Sequence, residues 1–375
     1  GRWETLIRVT LPLAAPGIVT APLIVFIRSL SDFGTPMFIG GNYNVLATQA
    51  YMVAMGSYDL PKAAAISTIL LVPAFLVFLV YRKLMSGAPL FSSKSVAAGD
   101  ERPLPGAVRW FVFSVVWSFV LFEGMKYGAI LCGAFVKTWG VNFSFTLQHL
   151  NTLQLTKLGS LLRSVRYSFV AALVAGLMGV VMARFIGRRA TLFSRAVEFI
   201  ADLPFILPGP FFGIAYLLAF NRLPEAFLGT GFLIVANCVY RQLSLGIKSG
   251  VSVLKQINPE LEDAVRDQGG GGLAVLRDVT GPLLMPAFLV SFINTFTFTM
   301  TTIGGIIFLI TPYTKVLTAE MFDAIQSGDI GASSVMASVI ILVAMAVNVA
   351  FSWLLLKGRK KGSEVEYVPS FGATR

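Results

Sequence analysis

Several apolar runs of about twenty residues constrain the fold of this chain more than any other feature. A run of that length can cross the roughly 30 Å hydrocarbon core of a bilayer as a helix. Only 13% of the 375 residues are charged, whereas soluble domains carry about 25%. The sequence therefore predicts an all-α polytopic membrane protein. The predicted spans, about eight in number, are 13–40, 63–81, 108–134, 167–186, 199–220, 231–246, 283–310 and 332–356.

Basic residues are concentrated in some of the segments between these spans and predict the topology. The net charge is +11, and Lys and Arg hold short loops on the cytoplasmic side of a membrane. They are scattered between apolar spans rather than gathered with aromatic residues on one face, so we expect no nucleic-acid partner. The charge bias places residues 87–106 and 248–281 in the cytoplasm.

Residues 87–106 are rich in Ser, Gly and Pro, a composition typical of a linker. They divide the chain into two membrane blocks. We predict two spans in residues 1–86, a cytoplasmic linker at 87–106, six spans in residues 107–361 and a cytoplasmic tail at 362–375.

The two blocks share an internal repeat. A shift of 270 positions superposes residues near the start of the chain on residues near its end, and it places Asp59 on Asp329. The matched residues are Gly1, Leu6, Val9, Thr10, Pro12, Leu13, Pro16 and Gly34 with Gly271, Leu276, Val279, Thr280, Pro282, Leu283, Pro286 and Gly304. We therefore expect two tandem homologous halves, as in many transporters. The first would lack its early part, about four spans upstream of Gly1.

The polar stretch at 260–286 is the longest charged interruption of the second block. It begins with a short helical pattern, continues through four glycines at 269–272, and ends at Pro282 and Pro286. No Gly-Lys-Ser/Thr phosphate loop, nucleophile–base set or metal-ligand spacing accompanies it. We therefore expect no catalysis, no cofactor and no bound metal. A compact unit tied to a membrane helix by prolines is suited to docking a partner.

The same stretch carries a family motif. Asp263-Ala264-Val265 is followed by Gly269 six residues after Asp263, by Val279 ten residues later and by Pro282 three further. This spacing resembles the Glu-Ala-Ala…Gly…Ile-x-Leu-Pro loop of binding-protein-dependent ABC importer permeases. The chain departs from that motif with Asp at 263, Val at 265 and Gly at 281.

The first copy keeps only the tail of the motif, Val9-Thr10-Leu11-Pro12, which fits it better. Residues 31–41, which read Ser-Asp-Phe-Gly-Thr-Pro-Met-Phe-Ile-Gly-Gly, are similar to the fused, two-half ferric-iron permeases of this family. Phosphonate, polyamine and thiamine permeases share much of the pattern.

The resemblance implies a type I importer permease fold in a bacterial inner membrane. It implies two cytoplasmic ATPase subunits that hydrolyse ATP and bind the two copies of this loop. It also implies an external solute-binding protein that delivers cargo. We call residues 260–282 the coupling loop. Its expected ATPase contacts are Asp263, Ala264, Val265, Arg266, Gly269, Gly270, Arg277, Val279 and Pro282, with Gly1, Arg8, Val9 and Pro12 in the first copy.

Small polar residues in two predicted spans are the candidates for the translocation path. They are Ser29, Asp32 and Thr35 in the first half and Asn294, Thr297 and Thr301 in the second. Hydrogen bonding between helices is the alternative role for such residues. No His, Asp and Tyr cage appears in the spans, so tight metal coordination would belong to the binding protein.

Charged residues within the spans leave a second class of protein open. Arg28 would face a cavity or pair with Asp32, and Glu123 would pair with Lys126 one turn away. An ion-coupled secondary transporter would need a carboxylate in mid-membrane, and Asp32 and Glu123 are the candidates.

Overall fold

The computed structural model describes residues 2–86, 106–152, 157–188, 191–220 and 230–363. The predicted linker and tail lie almost entirely outside these ranges. The helices of the first block are α1 (Arg2–Thr5), α2 (Leu11–Leu30), α3 (Gly34–Ile39), α4 (Leu46–Gly56) and α5 (Leu60–Ser86), with a π-helical turn at Leu6–Thr10 between α1 and α2.

The second block begins with α6 (Gly106–Phe135) and a short antiparallel hairpin, in which Val136 pairs with Phe145 and Thr138 with Asn142. The hairpin strands are β1 (Val136–Thr138) and β2 (Asn142–Phe145). The helices that follow are α7 (Gln148–Thr152), α8 (Leu158–Arg188), α9 (Leu192–Ile206), α10 (Gly209–Phe220), α11 (Phe232–Leu254), α12 (Glu260–Asp267), α13 (Gly272–Val275), α14 (Gly281–Thr301), α15 (Leu317–Gln326) and α16 (Ile330–Ser363), with a second π-helical turn at Leu276–Thr280.

The polytopic helical architecture is confirmed, with fewer clear spans than the sequence predicts. Within the described ranges, five helices are long and apolar enough to cross a membrane, or six if α9 and α10 form one broken span bent by 101°. Two predicted spans do not qualify. The span predicted at 13–40 corresponds to α2, in which only Ala21–Leu30 is a shorter apolar helix. The span predicted at 231–246 corresponds to α11, which carries the polar residues Asn237, Arg241 and Lys248.

Two segments that lie between the predicted spans contain helices. The span predicted at 167–186 belongs to α8, which already begins at Leu158 and whose first turns are buried at Ser160 and Ser164. Residues 311–331 contain α15, whose buried face includes Leu317 and Phe322. Both helices start among polar residues whose side chains form hydrogen bonds within the fold. Hydropathy does not detect such helices, because it does not account for these hydrogen bonds.

The core of the second block is the packing of α8, α11 and α14 against one another. Small residues allow the close approach, because a Cβ on Gly179 of α8 would lie 2.9 Å from the Cα of Gly246 of α11. Close backbone contact of this kind is a common way to hold membrane helices together. It lets α11, the most polar of the three, lie buried away from lipid.

The structure repeats in the register that the sequence predicts. The π-helical turns Leu6–Thr10 and Leu276–Thr280 are related by the same 270 positions. The start of each long final helix repeats as well: Asp59 Oδ1 accepts from Lys62 N at 3.0 Å and Asp329 Oδ1 accepts from Ala332 N at 2.9 Å.

An aromatic cluster joins the two blocks. Phe322 of α15 stacks on Phe33 with ring centroids 5.7 Å apart, and it also contacts Phe38 and Tyr51. Phe33 and Phe322 are each 1% exposed. The segments that follow α2 and α14 are equivalent in the repeat, and they meet here. A Cβ on Gly304 would lie 3.4 Å from the Cβ of Phe33.

Candidate functional site

The coupling loop begins with α12, a strongly amphipathic helix that ends at glycine. Gly269 has φ +84°, a left-handed conformation that favours glycine. Its N–H donates to the Arg266 carbonyl at 2.9 Å, and the N–H of Gly270 donates to the Val265 carbonyl at 2.9 Å. These two bonds form a Schellman cap, which stops the helix and turns the chain toward α13.

Glu262, on the buried side of α12, fixes the loop to the membrane helices. Its side chain is 5% exposed, accepts a hydrogen bond from Arg188 Nε at 2.9 Å, and lies 3.6 Å from Arg184 Nη2. Arg184 also donates to Thr280 Oγ1 at 3.2 Å. Because both arginines belong to the end of α8, this Glu262 clamp connects α8, α12 and the π-helical turn in one polar cluster.

The sequence reasoning missed Glu262. The available signal was its place on the apolar side of an amphipathic helix, since α12 presents Glu262 inward and its neighbour Asp263 outward.

The outer face of the coupling loop is open to solvent. Asp263 is 61% exposed and pairs with Arg266 at 2.6 Å, while Arg277 is 86% exposed. Leu273 is 79% exposed, an unusual position for a large apolar side chain in a polar loop. Of the other predicted contacts, Ala264, Gly269 and Pro282 are exposed, and Val265, Gly270 and Val279 are half-buried.

The first copy presents a similar surface in its short described part. Gly1 lies outside the described residues. Arg8 is exposed and lies 3.2 Å from Glu4, and Val9 and Pro12 are exposed.

Several of the six candidate path residues take part in hydrogen bonds within the protein. Thr297 Oγ1 accepts from Asn348 Nδ2 of α16 at 3.0 Å, and Thr301 and Asn294 bond to backbone carbonyls of their own helix. Asp32 accepts from Thr35 N at 3.4 Å, at the start of α3. For Thr297 the contact matches the alternative role in helix association.

A cleft between the two blocks holds charges that the path prediction did not include. It is lined by Arg28 of α2, Asp202 of α9 and Lys248 of α11, among apolar residues of α2 and α5. Lys248 lies 3.0 Å from Asp202, which also accepts a hydrogen bond from Ser244. Arg28 lines this cleft.

A polar cluster lies at the opposite end of the second block from the coupling loop. Glu320 of α15 accepts from Lys157 and Ser160 and lies 3.3 Å from Lys315. Burial alone would raise the pKa of Glu320, but the Lys157 hydrogen bond and the Lys315 charge outweigh it and hold that pKa below its usual value. Glu320 therefore stays ionised near neutral pH and ties α15 to the start of α8.

Comparison with known proteins relates the chain to a family. Residues 1–86 match the family model described as binding-protein-dependent transport system inner membrane component. The chain is 32% identical to the ferric transport system permease protein FbpB of Actinobacillus pleuropneumoniae over 361 residues, which is 94% of this chain and 52% of FbpB. This chain thus spans about half the length of that curated relative.

A shorter relative is covered almost completely. The chain is 32% identical over 111 residues to AfuB of Escherichia coli (strain K12), a ferric transport system permease-like protein, covering 92% of AfuB and 30% of this chain. Among solved structures, a bacterial ABC transporter involved in the import of the acidic polysaccharide alginate superposes with a TM-score of 0.55 at 14% identity. That match covers 66% of this chain and 96% of the other. At that identity the likeness shows the fold alone.

Proposed function

Since the chain belongs to the family of binding-protein-dependent ABC importer permeases of the inner membrane, we propose that it forms the second half and part of the first half of a ferric-iron permease. ATP hydrolysis takes place in separate cytoplasmic subunits, and a solute-binding protein on the outer side delivers the cargo. The relatives named for ferric transport support iron as the cargo. An importer of phosphonate, polyamine or thiamine is the alternative within the same class.

The observation that carries the proposal is the division of the coupling loop into a clamped inner side and an exposed outer side. The Glu262 clamp ties the loop to α8 through Arg184 and Arg188. A loop that transmits force from a partner must be rigidly connected to the helices that it moves. The buried Glu262 clamp provides that connection. The exposed Leu273 provides an apolar anchor for a groove on the partner.

An ion-coupled secondary transporter is less well supported. Its candidate carboxylates have other roles, because Glu123 pairs with Lys126 at 2.7 Å and Asp32 accepts a hydrogen bond at the start of α3. Asp202, which the sequence reasoning did not consider, is paired with Lys248.

Co-purification of the full-length permease with its ATPase tests the proposal. We expect Leu273→Asp to reduce ATPase retention at least tenfold, because a charge replaces the apolar anchor. Leu192→Asp is the matched control, since Leu192 is 85% exposed near the same end of α8 but outside the loop.

Uptake by proteoliposomes containing the full complex and its binding protein completes the test. The wild type should accumulate radiolabelled ferric iron only with ATP. ATP-independent uptake, or a wild type that never retains an ATPase, would overturn the importer proposal. Uptake of phosphonate, polyamine or thiamine instead of iron would replace the cargo alone.

A further inference from the structure

The β1–β2 hairpin extends the outer end of α6, which is the end farther from the predicted cytoplasmic linker. Over Gly106–Phe135, α6 is long and apolar enough to cross a membrane, and none of its most apolar stretch is buried within the described structure. The hairpin begins at the next residue, Val136. Because a membrane-spanning helix ends where hydrocarbon gives way to water, the hairpin lies at a membrane interface.

The hairpin has one apolar face and one polar face. In β2, Phe143 and Phe145 lie on one face, and Asn142 and Ser144 lie on the other. The cross-strand partner of Asn142 is Thr138, which continues the polar face into β1. The two phenylalanines are 66% and 74% exposed. A two-stranded hairpin is at best marginally stable in water, so this exposed apolar face indicates an apolar partner.

The apolar face continues the exposed surface of α6. Phe145 stacks on Phe135, the last residue of α6, with ring centroids 5.9 Å apart and ring planes 7° from parallel. In the turn of the hairpin, the Trp139 ring lies 6.0 Å from the Phe143 ring. Since α6 presents this surface to lipid, the face that continues it is suited to lipid rather than to a soluble protein.

The composition of the hairpin also matches a lipid headgroup region. Residues 135–147 carry Lys137 as their single charge, among four aromatic residues. Aromatic side chains are enriched where a bilayer meets water, and apolar faces of interfacial segments carry Trp and Phe. A lysine beside them can extend its ammonium group to lipid phosphates while its stem stays on apolar surface.

Hydrogen bonds and close packing join the hairpin to two membrane helices. The N–H of Thr146 donates to the Phe135 carbonyl of α6 at 2.9 Å. His149 Nε2 lies 3.1 Å from the carbonyl oxygen of Val136. The His149 ring packs on Gly331 of α16 so closely that a Cβ there would overlap it. A hairpin held at the membrane surface would therefore hold the outer ends of α6 and α16.

We propose that residues 136–147 form a membrane-interface anchor. The apolar face, with Trp139, Phe143 and Phe145, inserts between the headgroups and the upper acyl chains of the outer leaflet. The polar face, with Asn142 and Ser144, stays in water. This lipid contact goes beyond the proposed importer function, because it depends neither on the cargo nor on the ATPase.

Collisions of a nitroxide label with oxygen and with a water-soluble nickel chelate show which face meets lipid. The full-length permease is labelled in phosphatidylcholine–phosphatidylglycerol nanodiscs at Phe143→Cys or, as the matched control on the polar face, at Ser144→Cys. The background has no exposed native cysteine and includes Cys132→Ser. Oxygen partitions into lipid and the chelate stays in water, so we expect an oxygen-to-nickel collision ratio at least threefold higher at Phe143→Cys.

A label at Val141→Cys keeps the aromatic rings in place, since Val141 lies in the turn and is 83% exposed. It should also favour oxygen, which tests the anchor even if Phe143→Cys disturbs the hairpin. Adding Phe145→Asp to this labelled protein should lower the ratio at least twofold, because a charge on the apolar face opposes insertion. Ser144→Asp is the control and should leave the ratio unchanged.

Three results would each overturn the lipid anchor. Equal ratios for Phe143→Cys and Ser144→Cys would show that the two faces do not differ in their contact with lipid. Few collisions with either reagent at Phe143→Cys would show that the face is buried against protein. Exclusion of nickel only after purified solute-binding protein is added would assign the face to that protein.

Discussion

At the scale of the residue, two neighbouring acidic side chains in α12 have opposite environments. Glu262 is buried against Arg184 and Arg188, and Asp263 is exposed beside Arg266. Removing one member of a buried ion cluster leaves the others uncompensated, which costs far more than the loss of a surface pair. The motif residue and the structural anchor are therefore adjacent but distinct.

We predict that Glu262→Gln lowers stability by about 3–5 kcal/mol, because Arg184 and Arg188 lose their counter-charge. Asp263→Asn, the adjacent control, should change stability by less than about 1 kcal/mol. Thermal unfolding of the detergent-solubilised protein measures both. Equal shifts for the two variants would show that the Glu262 clamp does not hold the loop.

At the scale of the element, the coupling loop depends on one glycine conformation among its four glycines. Gly269 adopts φ +84°, whereas Gly271 has φ −74° and ψ 177°, a conformation open to any residue. A Cβ at either position would contact nothing within 4 Å. The two positions thus differ in backbone conformation and not in available space.

We predict that Gly269→Ala destabilises the loop by about 1 kcal/mol, since the left-handed conformation strains an L-residue. Gly271→Ala should be neutral or slightly stabilising. Hydrogen exchange of the α12 amides reads out the local effect. Slower exchange in Gly269→Ala, or equal exchange in both variants, would contradict the role of the Schellman cap in ending α12.

At the scale of the whole molecule, the two blocks are joined by aromatic side chains on one side and a charged cleft on the other. The ring of Phe322 contacts Phe33, Phe38 and Tyr51, and these three contacts cross between the blocks. The apolar contact holds the two blocks in register.

We predict that Phe322→Ala lowers stability by about 3–5 kcal/mol, as expected for a large buried aromatic. Tyr313→Ala is the control, because Tyr313 is 84% exposed in the preceding loop. Thermal unfolding measures the effect, and limited proteolysis shows where the chain opens. Cleavage confined to residues far from α3 and α15 would contradict the role of Phe322 in holding the two blocks together.

The sequence by itself determined the features that depend on local pattern. Apolar length identified five or six membrane helices and also predicted two spans that do not qualify, and motif spacing located α12 and its glycine turn. The 270-residue register identified the repeat because the same local pattern occurs twice in the chain. These signals are local because hydropathy and helix-ending residues act within a few turns.

Only the tertiary structure decided which polar side chains are buried and what they meet. Arg188 reaches Glu262 across 74 positions, and Thr297 meets Asn348 across 51. Arg241 of α11 lies against Gly209 and Gly305, which follow the ends of two other helices. Each of these contacts depends on how distant helices pack, since a polar residue within an apolar run has the same local pattern in lipid, in a helix interface and at a binding site.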